Sequence, residues 1–391
     1  MPTRPCWVEI RTRSLEENYR FLMSLAAGQA ELLAIVKADA YGHSLELCAP
    51  AVVRGGARWL GVTSVEEGVA ARSLCLEARI LVIGGVFPGQ GRALVEHGLT
   101  PVAWELGQLD ELESAAHASR VQAGGLLVHL EIDTGMSRQG TSPELLGSVL
   151  ARLGPGSPLK LEGVMTHLFA ADELDGAVTE TQLDRLDQAL NQIEAAGLNA
   201  DWLNVGNSAA LLSGEAARIA ALAGRHGMKA MLRPGLALYG LAPKFEPEEP
   251  EGLAAARAAL QPVLSWKTEV VGVRTVPAGA VVGYNGTFVA TEPMRLAQLA
   301  VGYGDGLDRR LGNNFSLLVR GERAPVVGRI SMDQAVLDVT EIAGVEAGDE
   351  VVILGTQGAE TVTAFDHAEA AGTIPWEVFT RIAPRVRRVA V

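Results

Sequence analysis

Eight short apolar runs, each separated from the next by a helix-like stretch, constrain this chain more than any other feature. They are Leu32–Val36, Trp59–Thr63, Ile80–Ile83, Pro101–Ala103, Leu126–Ile132, Leu161–Met165, Trp202–Val205 and, less clearly, Met228–Leu232. Each is too short for a helix and reads as a strand buried on both faces, as in a parallel sheet covered by helices. The intervening stretches carry helix signals. Ser64-Val65-Glu66-Glu67 has the form of a capping box, and Thr181–Ala196 keeps an amphipathic period. Eight strands alternating with helices fit a parallel (β/α)8 barrel, which typically takes about 250 residues. An open doubly wound sheet has the same periodicity and stays as the alternative.

Beyond residue 241 the pattern changes. Ala242–Pro250 is a linker rich in proline and glutamate, followed by valine-rich segments punctuated by glycine. These are Val263–Val276, Ala280–Phe288, Leu296–Val301, Ser316–Arg320, Ala335–Val339 and Val351–Leu354, with one helical piece near Ala364–Ala371. The expected architecture is an α/β chain: a TIM-like (β/α)8 barrel over 12–245 and a mostly-β C-terminal domain over 250–391. A strand within residues 1–11, centred on Trp7–Arg11, is expected to join the β-rich domain.

Composition serves mainly to exclude. A chain of 391 residues with 48% apolar and 20% charged residues is globular, not disordered. Its net charge of −13 argues against nucleic-acid or anionic-membrane binding, which need a basic face. Cys6, Cys48 and Cys75 are too few and too scattered for a disulfide framework or a zinc site, so no metal is expected. No secretory signal or membrane span is evident, and a cytoplasmic protein is the expectation.

In a (β/α)8 barrel the active site lies at the C-terminal ends of the strands. The first run ends in Lys37, one of only five lysines in the chain. A lysine there is partly desolvated, which lowers its pKa and makes its amine nucleophilic, as Schiff-base chemistry requires. The fifth run leads into Asp133-Thr134-Gly135-Met136-Ser137-Arg138, and the sixth ends at Thr166-His167. The seventh ends Asn204-Val205-Gly206-Asn207-Ser208, a small polar turn whose hydroxyl and backbone N–H groups suit a phosphate. The eighth ends Arg233-Pro234-Gly235-Leu236, where Gly235 allows close approach of an anion to the backbone. A lysine, a phosphate cradle and an arginine at one barrel mouth point together to pyridoxal phosphate. Taken singly, Lys37 also reads as a snorkelling lysine and His167 as a core histidine.

The stretch Ala34–His43 resembles the cofactor-lysine signature of the fold-type III alanine racemases. Further segments of that family match at Asp133–Arg138, Thr166-His167, Asn207–Ala210, Arg233–Gly235, Val282–Phe288, Gly302–Gly306 and Gly328–Gln334. The resemblance implies an isomerase that interconverts L- and D-alanine and supplies D-alanine for peptidoglycan. It implies pyridoxal phosphate on Lys37, its phosphate held by Tyr41, Asn207, Ser208 and the backbone of Gly235 and Leu236. His167 would pack by the ring, and Arg233 would face the pyridine nitrogen. Two bases are implied: Lys37, and Tyr284 from the other subunit of a homodimer. Arg138 and the backbone N–H of Met332 would meet the substrate carboxylate, with Tyr303 at the entrance. From the residues alone, the preferred reading of Tyr284 is a hairpin aromatic beside Asn285-Gly286.

Two positions depart from the family pattern. Glu131 stands where many members have a lysine that becomes carbamylated. Strand alternation places His129, Glu131 and Asp133 on one face, so Glu131 is expected to orient Arg138. Trp376 stands where the family usually has a tyrosine, and an indole donates one hydrogen bond but accepts none. Trp376 keeps open a broader or serine-preferring racemase. A non-catalytic pyridoxal-phosphate-binding protein on the same barrel is the alternative of a different class, and the second-domain motifs count against it.

Overall fold

The computed structural model describes residues 4–174, 176–246, 249 and 252–391. Of the expected linker, Pro247, Glu248 and Pro250 lie outside the described residues, as do residues 1–3 of the expected N-terminal strand. The chain divides into two compact units. One comprises Arg13–Ala40 and Cys48–Gln261; the other comprises Met1–Thr12, Tyr41–Leu47 and Pro262–Val391. The second boundary falls after Gln261, beyond the expected linker, because the helix Leu253–Ala259 groups with the first unit.

The first unit is a closed barrel of eight parallel strands: Ala30–Ile35, Trp59–Val62, Arg79–Val82, Thr100–Ala103, Leu126–Glu131, Leu159–Met165, Trp202–Asn204 and Lys229–Leu232. Closure is made by the first and last strands, where Leu32 pairs with Leu232, and this excludes the open doubly wound sheet. Leu33, Leu60, Ile80 and Leu81 are fully buried. Each contributes roughly 1.5–3 kcal/mol through removal of apolar surface from water. That is why these runs are mostly apolar and do not alternate regularly, with residues such as His129, Glu131 and Glu162 as exceptions.

Lower in the barrel a polar group sits within this core. Arg79 forks onto Glu162 with bonds of 2.6 and 2.7 Å and stacks over Trp59 at 4.0 Å. His129 is fully buried beside Glu162, and a Cβ added to Gly163 would lie 2.4 Å from its ring. Gly163 is therefore required by the histidine and not by a turn.

The helix Val65–Leu74 begins at Ser64, whose hydroxyl accepts from the N–H of Glu67 at 3.3 Å. Only this half of the expected capping box forms. The Glu67 carboxylate accepts instead from the N–H groups of Thr63 and Ala38, at 2.8 and 2.7 Å. The helix expected at Thr181–Ala196 runs over Ala177–Ala195.

In the second unit the long strand Leu264–Val276 organises a nine-stranded sheet. It pairs antiparallel with Cys6–Ile10, Met294–Leu299 and Glu350–Gln357. The strand Cys6–Ile10 also pairs in parallel with Arg387–Ala390, which its charged start concealed in the sequence. The expected run Ala280–Phe288 is a small ribbon instead, Val281–Val282 against Phe288–Val289. It breaks at Asn285 and Gly286, both at positive φ. Ala364–Ala371 is a helix closed by a capping box between Thr363 and Asp366. Among the described residues, no helix is long and apolar enough to cross a membrane.

Candidate active site

The C-terminal ends of the barrel strands gather most of the candidate residues. After the first strand the chain passes Lys37 and enters a left-handed turn, with Ala38, Asp39, Ala40 and Tyr41 all near φ +54°. None is glycine, so each costs about 1–2 kcal/mol relative to a right-handed turn. Within the turn the Ala40 N–H donates to the Val36 carbonyl at 2.9 Å. The Lys37 amine is half-buried. Burial holds its pKa below the usual lysine range, the cations Arg138 and Arg233 lower it further, and Glu67 opposes them.

Arg233 is the most strongly fixed group at the barrel mouth. It is buried, and its guanidinium donates to the backbone and side-chain oxygens of Asn204, both at 2.7 Å, and to the Thr166 carbonyl at 2.8 Å. Burial brings its pKa down to about 10, so it stays charged at neutral pH. The nitrogen that donates to Thr166, Nη2, also lies 3.2 Å from His167 Nδ1. Burial, then Arg233, Arg138 and Lys37, lower the His167 pKa to about 3. The imidazole is therefore neutral, with Nδ1 accepting from the guanidinium.

Ser208 opens a short helix capped by Asn207, whose side-chain oxygen accepts from the Ala210 N–H at 3.1 Å. The Ser208 hydroxyl oxygen accepts from the N–H groups of Gly235 and Ala237, at 3.0 and 3.2 Å. With both lone pairs engaged, its own O–H proton is left for an anionic acceptor. Tyr41, which groups with the second unit, is buried, and burial pushes its pKa up to about 12.

Glu131 is buried at the end of the fifth strand, but its direct partner is not the expected one. Gln139 Nε2 donates to the Glu131 carboxylate, while Arg138 is exposed and makes no hydrogen bond or ion pair among the described residues. The loop explains this. Asp133 accepts from the N–H groups of Gly135 and Ser137, at 2.9 and 3.1 Å. Ser137 then adopts φ +55°. That turn sends Arg138 outward and Gln139 inward. Burial raises the Glu131 pKa, and Gln139, Arg233 and Arg138 counter it.

Three supporting residues escaped the sequence reading. Asn204 holds Arg233, and its own side-chain nitrogen is buried without a hydrogen-bond partner among the described residues. Gln139 holds Glu131. Gln182, from the helix Ala177–Ala195, donates to the Thr134 hydroxyl and the His167 carbonyl, both at 2.9 Å. The polar end of the otherwise apolar seventh strand was the one signal for Asn204. Gln139 and Gln182 had none.

In the second unit Tyr284, Tyr303 and Met332 are exposed, at 68%, 44% and 54%. The backbones of Tyr303 and Met332 are nevertheless held together. The N–H groups of Tyr303 and Gly304 donate to the carbonyls of Ser331 and Met332, at 3.0 and 2.9 Å. A Cβ on Gly302 would lie 2.2 Å from the Ser331 oxygen. Asp305, buried, anchors the pair of loops through Arg385 at 2.8 Å and Arg4 at 3.1 Å. Beside Tyr303 opens a cavity of about 490 Å³, lined also by Gly306, Leu307, Asp308, Arg309 and Arg381. Trp376 is half-buried in the short helix Pro375–Thr380.

The chain matches two family models: alanine racemase, N-terminal domain, over residues 10–243, and alanine racemase, C-terminal domain, over residues 263–390. It is 36% identical over 389 residues to an alanine racemase of Halothermothrix orenii, covering 99% of this chain and 97% of the relative. Among solved structures it resembles the alanine racemase of D-cycloserine-producing Streptomyces lavendulae, with a TM-score of 0.88 and 33% identity over 100% of this chain and 98% of that one. It is also similar to the alanine racemase of Bacillus anthracis with bound L-Ala-P, with a TM-score of 0.86 and 30% identity over 100% and 96% of the two chains.

Proposed function

The chain belongs to the alanine racemase family, and on that premise we propose that it interconverts L- and D-alanine on pyridoxal phosphate by a two-base mechanism. The observation that carries this reading is Lys37, half-buried just past the C-terminal end of the first strand of a closed barrel, where burial lowers the pKa of its amine. The residues present suit the cofactor. Lys37 offers an amine of lowered pKa, Ser208 offers a hydroxyl proton, and Arg233 offers a cation locked in place. Pyridoxal phosphate bound there supplies the electron withdrawal that makes the α-proton of alanine acidic.

Arg233 keeps its proton at neutral pH, so it would face the pyridine nitrogen as a donor and leave that nitrogen unprotonated. Neutral His167 would pack by the ring without adding charge. Lys37 removes or returns the α-proton on the D-face, and a lowered pKa brings its amine closer to the operating pH. Tyr284 serves the L-face from the other subunit of a homodimer. Its exposure on a fixed Asn-Gly ribbon supports presentation to a partner chain. Arg138, free of other bonds, and the Met332 N–H bind the substrate carboxylate, while Tyr303 borders the way in.

D-Alanine for peptidoglycan is the product's use in this reading, and the cytoplasm is its place. The non-catalytic alternative loses ground because the match extends through the second domain, where Tyr284 and Met332 lie. The test is D-alanine formation by the purified protein beside Lys37→Ala and Tyr284→Phe. Loss of racemisation in Tyr284→Phe with the cofactor retained supports two bases; an unaffected rate refutes them. Rates with alanine, serine and lysine decide whether Trp376 keeps the pocket narrow. Equal rates would sink the alanine-specific reading.

A further inference from the structure

We propose that Glu67 is the positioning residue for Lys37: its carboxylate clamps the left-handed turn that follows the lysine and so fixes where the amine points. This rests on the reading of Lys37 as the cofactor lysine. Four consecutive non-glycine residues at positive φ form an unfavourable turn, which persists only when surrounding groups over-determine it. Within the first unit, the side chain that reaches into this turn is Glu67. One oxygen accepts from the Ala38 N–H at 2.7 Å, and the other accepts from the Thr63 N–H at 2.8 Å. Both are charge-assisted bonds to backbone, the stronger class of hydrogen bond.

A second observation points the same way. Glu67 occupies the third position of its helix, from which a glutamate ordinarily returns to the N–H of the capping residue. Here Ser64 still caps the helix by accepting from the Glu67 N–H, yet the Glu67 side chain turns away from Ser64. The helix thus gives up half of its capping box, and the carboxylate goes to the residue next to Lys37. The same carboxylate is the negative charge that opposes burial, Arg138 and Arg233 at the lysine amine. A bland alternative is that Glu67 only stabilises the helix start, and Ser64→Ala separates the two roles because Ser64 does not touch the turn.

The experiment follows loss of pyridoxal phosphate from the holoprotein to excess hydroxylamine, read by visible absorbance, for wild type, Glu67→Gln, Glu67→Ala and Ser64→Ala. Thermal melting of each variant runs alongside. A glutamine keeps one acceptor oxygen and loses the charge, so its release should be about tenfold faster than wild type, with the alanine variant faster still. Ser64→Ala should melt earlier but release cofactor at the wild-type rate. Release from Glu67→Gln within twofold of wild type overturns the proposal, as does a Ser64→Ala variant that matches it. If Glu67→Ala fails to fold, the glutamine variant still decides. Lys37→Ala distinguishes the two readings: a variant that binds cofactor and racemises as wild type refutes the role of Lys37 itself.

Discussion

The barrel mouth and the exposed face of the second unit handle the same problem, holding reactive groups in place, by opposite means. At the mouth, burial sets the protonation states. Arg233 keeps its charge because three oxygens receive it, His167 stays neutral, and the Lys37 amine is pushed toward neutrality. In the second unit, Tyr303 and Met332 leave their side chains in solvent while the backbones beneath are fixed, and Tyr284 is exposed beside a two-stranded ribbon. The first arrangement tunes chemistry within one unit. The second leaves side chains uncovered, where rigid backbone is what would make their presentation to a partner specific.

The largest effects should fall on the proposed bases, and they should differ in kind. Lys37→Ala is expected to lose both covalent cofactor and racemisation, whereas Tyr284→Phe keeps the cofactor and loses about 10²–10⁴ in turnover. Visible absorbance and D-alanine formation measure the two. A Tyr284→Phe protein that released its cofactor would break the division between the regions.

Two glycine substitutions come next. Gly163→Ala forces a methyl onto the buried His129 ring, at a cost of about 1–3 kcal/mol in denaturant unfolding. Its Michaelis constant for alanine should hold. Gly302→Ala pushes against the Ser331 carbonyl and should instead raise that constant by displacing Met332. If both variants only destabilised, the loops of the second unit would be scaffolding alone.

Glu131→Gln removes the buried charge beside Arg138 and Arg233 while preserving shape. A rise of about tenfold in the Michaelis constant is expected, and Gln139→Ala should follow it, since Gln139 is the direct partner. Unchanged affinity and turnover would remove Glu131 from the substrate site.

The smallest effect lies away from both regions. His226 has Glu194 at 2.7 Å and Asp187 at 2.9 Å on its two ring nitrogens. Burial lowers its pKa, but the bonds to Asp187 and Glu194 outweigh this and raise it. A raised folded pKa gives stability that is fully present below the unfolded value of about 6.5 and lost as pH rises through the folded value. Unfolding free energy should therefore fall on alkalisation above about pH 6.5, by less than about 1 kcal/mol at this partly exposed pair. A His226→Gln variant should lack that slope.

The eight strands and the helices between them were legible because a strand covered on both faces must be mostly apolar, and short runs of that kind recur between helical stretches. Lys37, His167, Ser208 and Arg233 were legible for a related reason: each is a polar residue where an apolar run stops, and in a barrel those stops share one face. The strands Glu322–Pro325 and Arg387–Ala390 were not, since their charged side chains mask a pairing that only the neighbouring strands supply. Nor could sequence alone choose Gln139 over Arg138 as the partner of Glu131, or turn Glu67 from its helix cap to Ala38. Those choices depend on the sign of φ at Ser137 and at Ala38–Tyr41. No residue type there requires it: at Ser137 it accompanies the local turn around Asp133, and at Ala38 a carboxylate from a segment distant in sequence holds it.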